Sequence, residues 1–174
     1  MTTPGSPEGL DERVTVDTAA QMQDLGRRLA SLLHAGDLIV LTGPLGAGKT
    51  TLAQGIGSGL GVRGQVTSPT FVIARVHPSL SGGPELVHAD AYRLGSRAEV
   101  DDLDLDADLD TAVTVVEWGE GLVEDLADSF LAVTIELSGT PAAAEEAAAG
   151  PRTVRIQGRG LRWQGADWPV LAAG

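Results

Sequence analysis

The sequence predicts an α/β fold: a mixed sheet flanked by helices, with an antiparallel hairpin at its C-terminal end. Three observations carry this reading. Short apolar runs alternate with helical periodicities, a glycine-rich turn joins one such run directly to a helix, and the last two β-like runs are neighbours in sequence. At 174 residues with 43% apolar side chains, the chain suits one domain with a single core. That domain is expected over 13–158, between a flexible N-terminal tail (1–12, rich in Pro, Gly and Ser) and a C-terminal tail (159–174).

Thr18 to His34 reads as an amphipathic helix, with Leu25, Leu29, Leu32 and Leu33 at helical spacing, Asp17 or Thr18 as cap and Gly36 as stop. Asp37 to Thr42 is an apolar strand, Gly43 to Gly48 a glycine-rich turn, and Thr50 to Leu60 a second helix ended by Gly61. Phe71 to His77 and Glu85 to Ala91 read as strands joined by the loop Pro78 to Pro84. Ala112 to Val116 is a buried strand, and Glu120 to Ala127 a short helix. Phe130 to Leu137 and Arg152 to Gln157 form the closing hairpin, separated by the Ala/Glu-rich stretch Ser138 to Pro151, expected as a long loop. No internal repeat is present.

Composition removes several function classes. There is no cysteine, which excludes disulfides, zinc–thiolate sites, iron–sulfur clusters and cysteine nucleophiles. No signal peptide is expected, and no apolar run approaches the ~18 residues of a membrane span, so a cytoplasmic protein is expected. The formal charge of −12 opposes unaided binding to a phosphate backbone. Asp102, Asp104, Asp106, Asp108 and Asp110 alternate as in a calcium loop, but Ala107 and Val113 stand where its glycine and closing glutamate belong. The stretch reads as a solvated acidic face.

Gly43-Pro44-Leu45-Gly46-Ala47-Gly48-Lys49-Thr50 fits G-x-x-x-x-G-K-[ST], the P-loop pattern, and lies between a strand and a helix as that motif requires. The pattern arises by chance in roughly two in a thousand chains of this composition. Glycines let successive backbone N–H groups converge on phosphates, and the following helix N-terminus adds its field. Lys49, the only lysine in the chain, is expected on the β- and γ-phosphates, and the Thr50 hydroxyl on Mg²⁺. Thr51 is a second hydroxyl, open to packing or capping.

Two strands end in a carboxylate that could face the metal: Asp90 and Glu117. The expectation is that Glu117 orients the attacking water and Asp90 lies nearer Mg²⁺. Trp118 could stack on a base for about 0.5–1.5 kcal/mol. Ser68-Pro69-Thr70 is a rigid polar turn; taken alone it reads as an ordinary turn, and beside a P-loop it suits a γ-phosphate switch. Arg93 could stabilise a transferred phosphoryl group or pair with a surface acid. His34, His77 and His88 have no metal-ligand spacing, and His88 reads as local structure.

Taken together, these residues resemble the TsaE (YjeE) family of P-loop ATPases in threonylcarbamoyladenosine synthesis on tRNA. The resemblance covers roughly Thr18 to Leu137. It rests on Leu25-Gly26, Leu45 to Thr51, Ser68-Pro69-Thr70-Phe71, His88-Ala89-Asp90-Ala91-Tyr92-Arg93 and Glu117-Trp118. Pro44, Met22 and His77 depart from the family's usual Asp, Thr and Tyr. The resemblance implies that Thr51 and Thr70 serve the site, that Asp90 and Glu117 handle metal and water, and that Trp118 lies against adenine. It also implies an accessory ATPase, weak alone, that docks on a TsaD–TsaB pair and meets tRNA only through that complex.

Three rivals differ in testable ways. A small-molecule P-loop kinase would need an acceptor pocket and a basic lid, whereas Leu94 to Thr111 is mostly acidic. A GTPase would need N-K-x-D, which a chain without asparagine lacks. A non-hydrolysing nucleotide-binding module would bind without turnover.

Overall fold

The computed structural model describes residues 10–44, 46–64, 66, 74–91, 109–118, 126–137 and 150–164. The Ser68-Pro69-Thr70 turn, Tyr92 and Arg93, the aspartates of 101–108, most of the expected Glu120–Ala127 helix and most of the Ser138–Pro151 separator lie outside these residues.

Among the described residues seven strands form one mixed sheet: β1 (Asp11–Val16), β2 (Leu38–Thr42), β3 (Ala74–His77), β4 (Glu85–Asp90), β5 (Ala112–Glu117), β6 (Phe130–Leu137) and β7 (Arg152–Arg159). Their order is β1-β7-β6-β2-β5-β4-β3. The centre is parallel, with β2 between β5 and β6 and β5 beside β4. The outer pairs are antiparallel. Parallel strands are buried on both faces and so read as unbroken apolar runs. β5 is buried at all six positions.

Helices α1 (Ala19–Ala30) and α2 (Lys49–Leu60) pack on one face. The Thr18 side chain caps α1 by accepting from the Gln21 N–H, and Gly61, in the left-handed conformation, ends α2. Met22, Leu25, Leu29, Leu52 and Ile56 meet Ile39, Leu41, Val113, Val115, Leu131 and Val133 in the main core. A smaller cluster of Leu38, Val40, Val87, Ala89 and Val116 lines the opposite face. Among the described residues no helix is long and apolar enough to cross a membrane.

Three glycines let the helices approach until backbones touch. A Cβ at Gly26 would stand 2.5 Å from the Leu52 carbonyl oxygen, and one at Gly55 would collide with the Gln23 backbone. A Cβ at Gly59 would stand 2.6 Å from the Ala30 Cβ, and this contact outweighs the low helix propensity of Gly55 and Gly59 in α2. Gly26→Ala is therefore expected to destabilise the fold by about 3 kcal/mol. A thermal melt followed by circular dichroism checks this, and an unchanged melting temperature would contradict the close-contact argument.

The folded domain reaches further at both ends than the sequence suggests. Residues 10–12 belong to the folded domain: Leu10 is buried, and Asp11 and Glu12 begin β1, which pairs with β7 from Asp11↔Gln157 to Val16↔Arg152. At the other end, Arg159 completes β7, and a 3-10 turn, Leu161–Trp163, follows. Trp163 is fully buried, with its side chain against Gly158. Arg162 stacks on that ring at 4.2 Å and donates to the Asp37 carboxylate and, at 2.8 Å, to the Leu32 carbonyl. A single large aromatic side chain, held by a cation and against Gly158 of β7, thus turns part of an expected tail into core.

Candidate functional site

The parallel register brings the C-terminal ends of β2, β5 and β4 to one edge of the sheet. Asp90 faces Glu117 across β4 and β5, and Leu41 faces Glu117 across β2 and β5. The loop from Gly43 to Gly48 leaves β2 at this edge and opens into α2. Gly43 has room for no side chain, since a Cβ would stand 2.9 Å from the Ile135 carbonyl oxygen. Gly46 and Gly48 have φ of 75° and 109°, which L side chains rarely adopt.

Lys49 is 5% exposed, and its ammonium lies within the loop, donating to the Gly43 carbonyl at 2.7 Å and the Pro44 carbonyl at 3.0 Å. The Trp118 ring stands over it, 4.0 Å from Nζ to the ring centroid. Burial pushes the Lys49 pKa below the usual lysine range, and the charges of Glu117 and then Asp90 oppose that shift. The Thr50 hydroxyl, next in sequence, lies 3.2 and 3.4 Å from the two Glu117 carboxylate oxygens and donates to that group.

Glu117 is itself fixed from β4. The His88 Nε2–H donates to Glu117 Oε2 at 2.6 Å, and both residues are almost wholly buried. A carboxylate only accepts, which sets the proton on Nε2. Immediately after Glu117 the chain turns sharply. Trp118 is the one described non-glycine residue with positive φ, 62°, a conformation that costs about 1–2 kcal/mol. Its N–H donates to the Leu41 carbonyl at 2.9 Å, and the Glu117 carbonyl accepts from Ala91 N–H at 2.8 Å. These two backbone bonds hold the turn that carries the ring to Lys49.

Of the residues named from sequence, the structure gathers Gly43, Pro44, Gly46, Ala47, Gly48, Lys49, Thr50, Glu117 and Trp118. Asp90 stands one strand further out. Thr51 faces a small cavity, about 150 Å³, bordered by Thr18, Met22, Gly46, Gly48 and Arg152. Leu45, Thr70 and Arg93 lie outside the described residues. Two placements refine the expectations. The carboxylate on the Thr50 hydroxyl is Glu117, because β5 and not β4 adjoins β2. The Trp118 ring contacts the Lys49 ammonium, at the lysine end of the loop. The bond from His88 to Glu117 was not expected from the sequence, although the spacing His88-x-Asp90 puts both side chains on one face of a strand.

The donors here are hydroxyl and carboxylate oxygens, which suit hard cations. Among the described residues no group of three or more His, Cys, Asp or Glu forms a protein-only metal cage. Such a site would hold a cation through few protein ligands, as is usual for Mg²⁺ with substrate phosphates.

Comparison with known proteins follows the same lines. The family described as threonylcarbamoyl adenosine biosynthesis protein TsaE matches residues 16–146. The chain is 59% identical over 152 residues to a tRNA threonylcarbamoyladenosine biosynthesis protein TsaE of Streptomyces coelicolor, covering 87% of this chain and 99% of that one. It is 36% identical to the Bacillus subtilis protein of the same description over 116 residues, covering 66% and 71% of the two chains. Among solved structures it is similar to Bacillus subtilis YdiB, with a TM-score of 0.66 at 25% identity over 91% of this chain and 92% of that one.

Proposed function

Because this chain belongs to the TsaE family, we propose that it is an accessory ATPase of tRNA threonylcarbamoyladenosine biosynthesis. It binds ATP with Mg²⁺ on the Gly43–Thr50 loop and hydrolyses it in support of a TsaD–TsaB pair. The observation that carries this reading is the Lys49–Thr50–Glu117 cluster: a buried ammonium, a hydroxyl and a carboxylate converging where a glycine loop opens a helix.

The residues fit the nucleotide and the metal. The left-handed glycines, the narrow seat of Gly43 and the α2 N-terminus make a concave backbone surface suited to phosphate oxygens. Thr50 and Glu117 would hold Mg²⁺, which supplies neutralisation of charge on the β- and γ-phosphates. Lys49 places its ammonium against the same oxygens. Asp90, on the strand beyond Glu117, is left to orient the attacking water. Water attacks the γ-phosphorus, the bond to the β,γ-bridging oxygen breaks, and ADP and phosphate leave. His88 is a positioning residue: its bond to Oε2 holds the Glu117 carboxylate toward Thr50. Trp118 confines the lysine from above.

Dependence on partners follows from charge. Phosphoryl transfer gains rate from cations around the γ-phosphate. The chain carries 12 Lys and Arg against 24 Asp and Glu, and Lys49 is its only lysine. Hydrolysis by the isolated protein is expected to be slow and to rise by about tenfold or more with the TsaD–TsaB pair. By linkage, a pair that prefers the ATP-bound form tightens ATP binding by the same factor. Measuring hydrolysis and ATP affinity with and without the pair tests this. Fast turnover alone, unchanged by the pair, would favour a kinase-like enzyme, and binding without turnover in both conditions would favour a nucleotide-binding module.

A further inference from the structure

Arg152 heads β7, more than a hundred residues from the phosphate-binding loop in sequence. It is 8% exposed in a strongly acidic chain. Its guanidinium spans two backbone oxygens: Nη2 donates to the Gly46 carbonyl and Nη1 to the Gly150 carbonyl, both at 3.1 Å. Gly46 is at the crest of the loop.

The contact fixes one particular peptide. In a trans peptide the C=O and the next N–H point in opposite directions. Arg152 takes the carbonyl of the Gly46–Ala47 peptide from outside the loop. The Ala47 N–H of the same peptide points the other way and donates to the Pro44 carbonyl at 3.1 Å. The Pro44 carbonyl is also an acceptor for the Lys49 ammonium. One guanidinium therefore sets a peptide whose far side leads, through a single shared oxygen, to the lysine. Gly46 makes this external hold useful. No atom lies within 4 Å of a Cβ built there, so the loop is open on that side. The register of β7 holds the arginine: Arg152 pairs with Val16 on one side and Leu137 on the other.

We propose that Arg152 is a positioning residue of the phosphate cradle, orienting the Gly46–Ala47 peptide from outside and tying the β6–β7 hairpin to nucleotide affinity. The inference rests on the nucleotide-binding reading above. A fork is needed, because two oxygens must be held at a fixed angle, which a lysine ammonium cannot do rigidly.

The test is ADP binding by calorimetry to the full chain and to Arg152→Met and Arg152→Lys, with ¹⁵N–¹H spectra and thermal melts to establish folding. Arg152→Met is expected to lose about tenfold in ADP affinity, with the Gly46 and Ala47 amide resonances displaced and distant amides unmoved. Arg152→Lys, which keeps the stem and charge, is expected to lose less, and it carries the test if the methionine variant fails to fold. A lowered melting temperature with unchanged ADP affinity in a folded variant would reduce Arg152 to a fold-stabilising residue and overturn the proposal. Absence of ADP binding by the parent chain would instead overturn the nucleotide-binding reading itself.

Discussion

Lys49→Ala is expected to lower ATP hydrolysis by about a thousandfold or more while the protein stays folded. The reasoning is local. The ammonium is buried, held by the Gly43 and Pro44 carbonyls, and lies in the field of Glu117 and Asp90. No other lysine in the chain could replace it. Removing it takes away the cation beside the two carboxylates where phosphate oxygens must arrive, so the substrate's charge would be repelled rather than met. The cost to folding is smaller, about 1–3 kcal/mol, because Pro44 keeps its bond from Ala47. The change also removes the cation beneath Trp118, so emission from that ring is expected to shift without added nucleotide. Trp163, fully buried in the core, supplies a constant background. An ATPase assay paired with a thermal melt checks the prediction. Undiminished hydrolysis in a folded variant would sink the phosphate-cradle reading.

Glu117→Gln is expected to lower hydrolysis by about a hundredfold or more and to weaken the Mg²⁺ dependence of nucleotide binding. Its carboxylate is the one in contact with the Thr50 hydroxyl, and an amide is a far poorer ligand for a hard cation. Asp90→Asn is expected to depress hydrolysis while leaving the Mg²⁺ dependence in place; the opposite pattern would exchange the two roles. The glutamine variant also has a pH signature. Burial lowers the Lys49 pKa, and Glu117 is the larger of two charges that hold it up. Without that charge the pKa falls further. Phosphate binding needs the protonated amine and is lost as pH rises through its pKa, so the alkaline limb of ADP binding should move to lower pH. An unmoved limb would show that the carboxylate does not support the lysine.

What the sequence made legible was mostly local. The strand, glycine loop and helix from Leu38 to Gly61 follow from contiguous residues, and their bounds differ from expectation by one residue at each shifted end. The buried run Ala112 to Val116 was equally plain because both its faces are covered; it extends by one residue to Glu117. The strand β1 was missed because at the sheet edge four of its six residues are charged or hydroxylated, and only Val14 and Val16 mark an inner face. Trp163 was missed because its burial depends on Gly158 and Arg162, which meet it only after β7 is in place. The site divides in the same way. The loop and both strand-end carboxylates were readable from type and spacing. The choice of Glu117 for Thr50 needed the strand order, as did the bond from His88 and the reach of Arg152 to Gly46.

The pairing of β1 with β7 has a consequence for how the protein is made. β1 leaves the ribosome before every other described strand, yet Val16 must wait for Arg152, more than a hundred residues later. At typical elongation rates that delay is on the order of ten seconds. Throughout it, Asp11–Val16 is a strand without a neighbour, able to pair with the same segment of another nascent chain. Asp11, Glu12 and Arg13 make such a mispairing costly, and in the finished sheet Arg155 meets Asp11 at 2.8 Å. The charges that hid this strand in the sequence thus also guard it during synthesis.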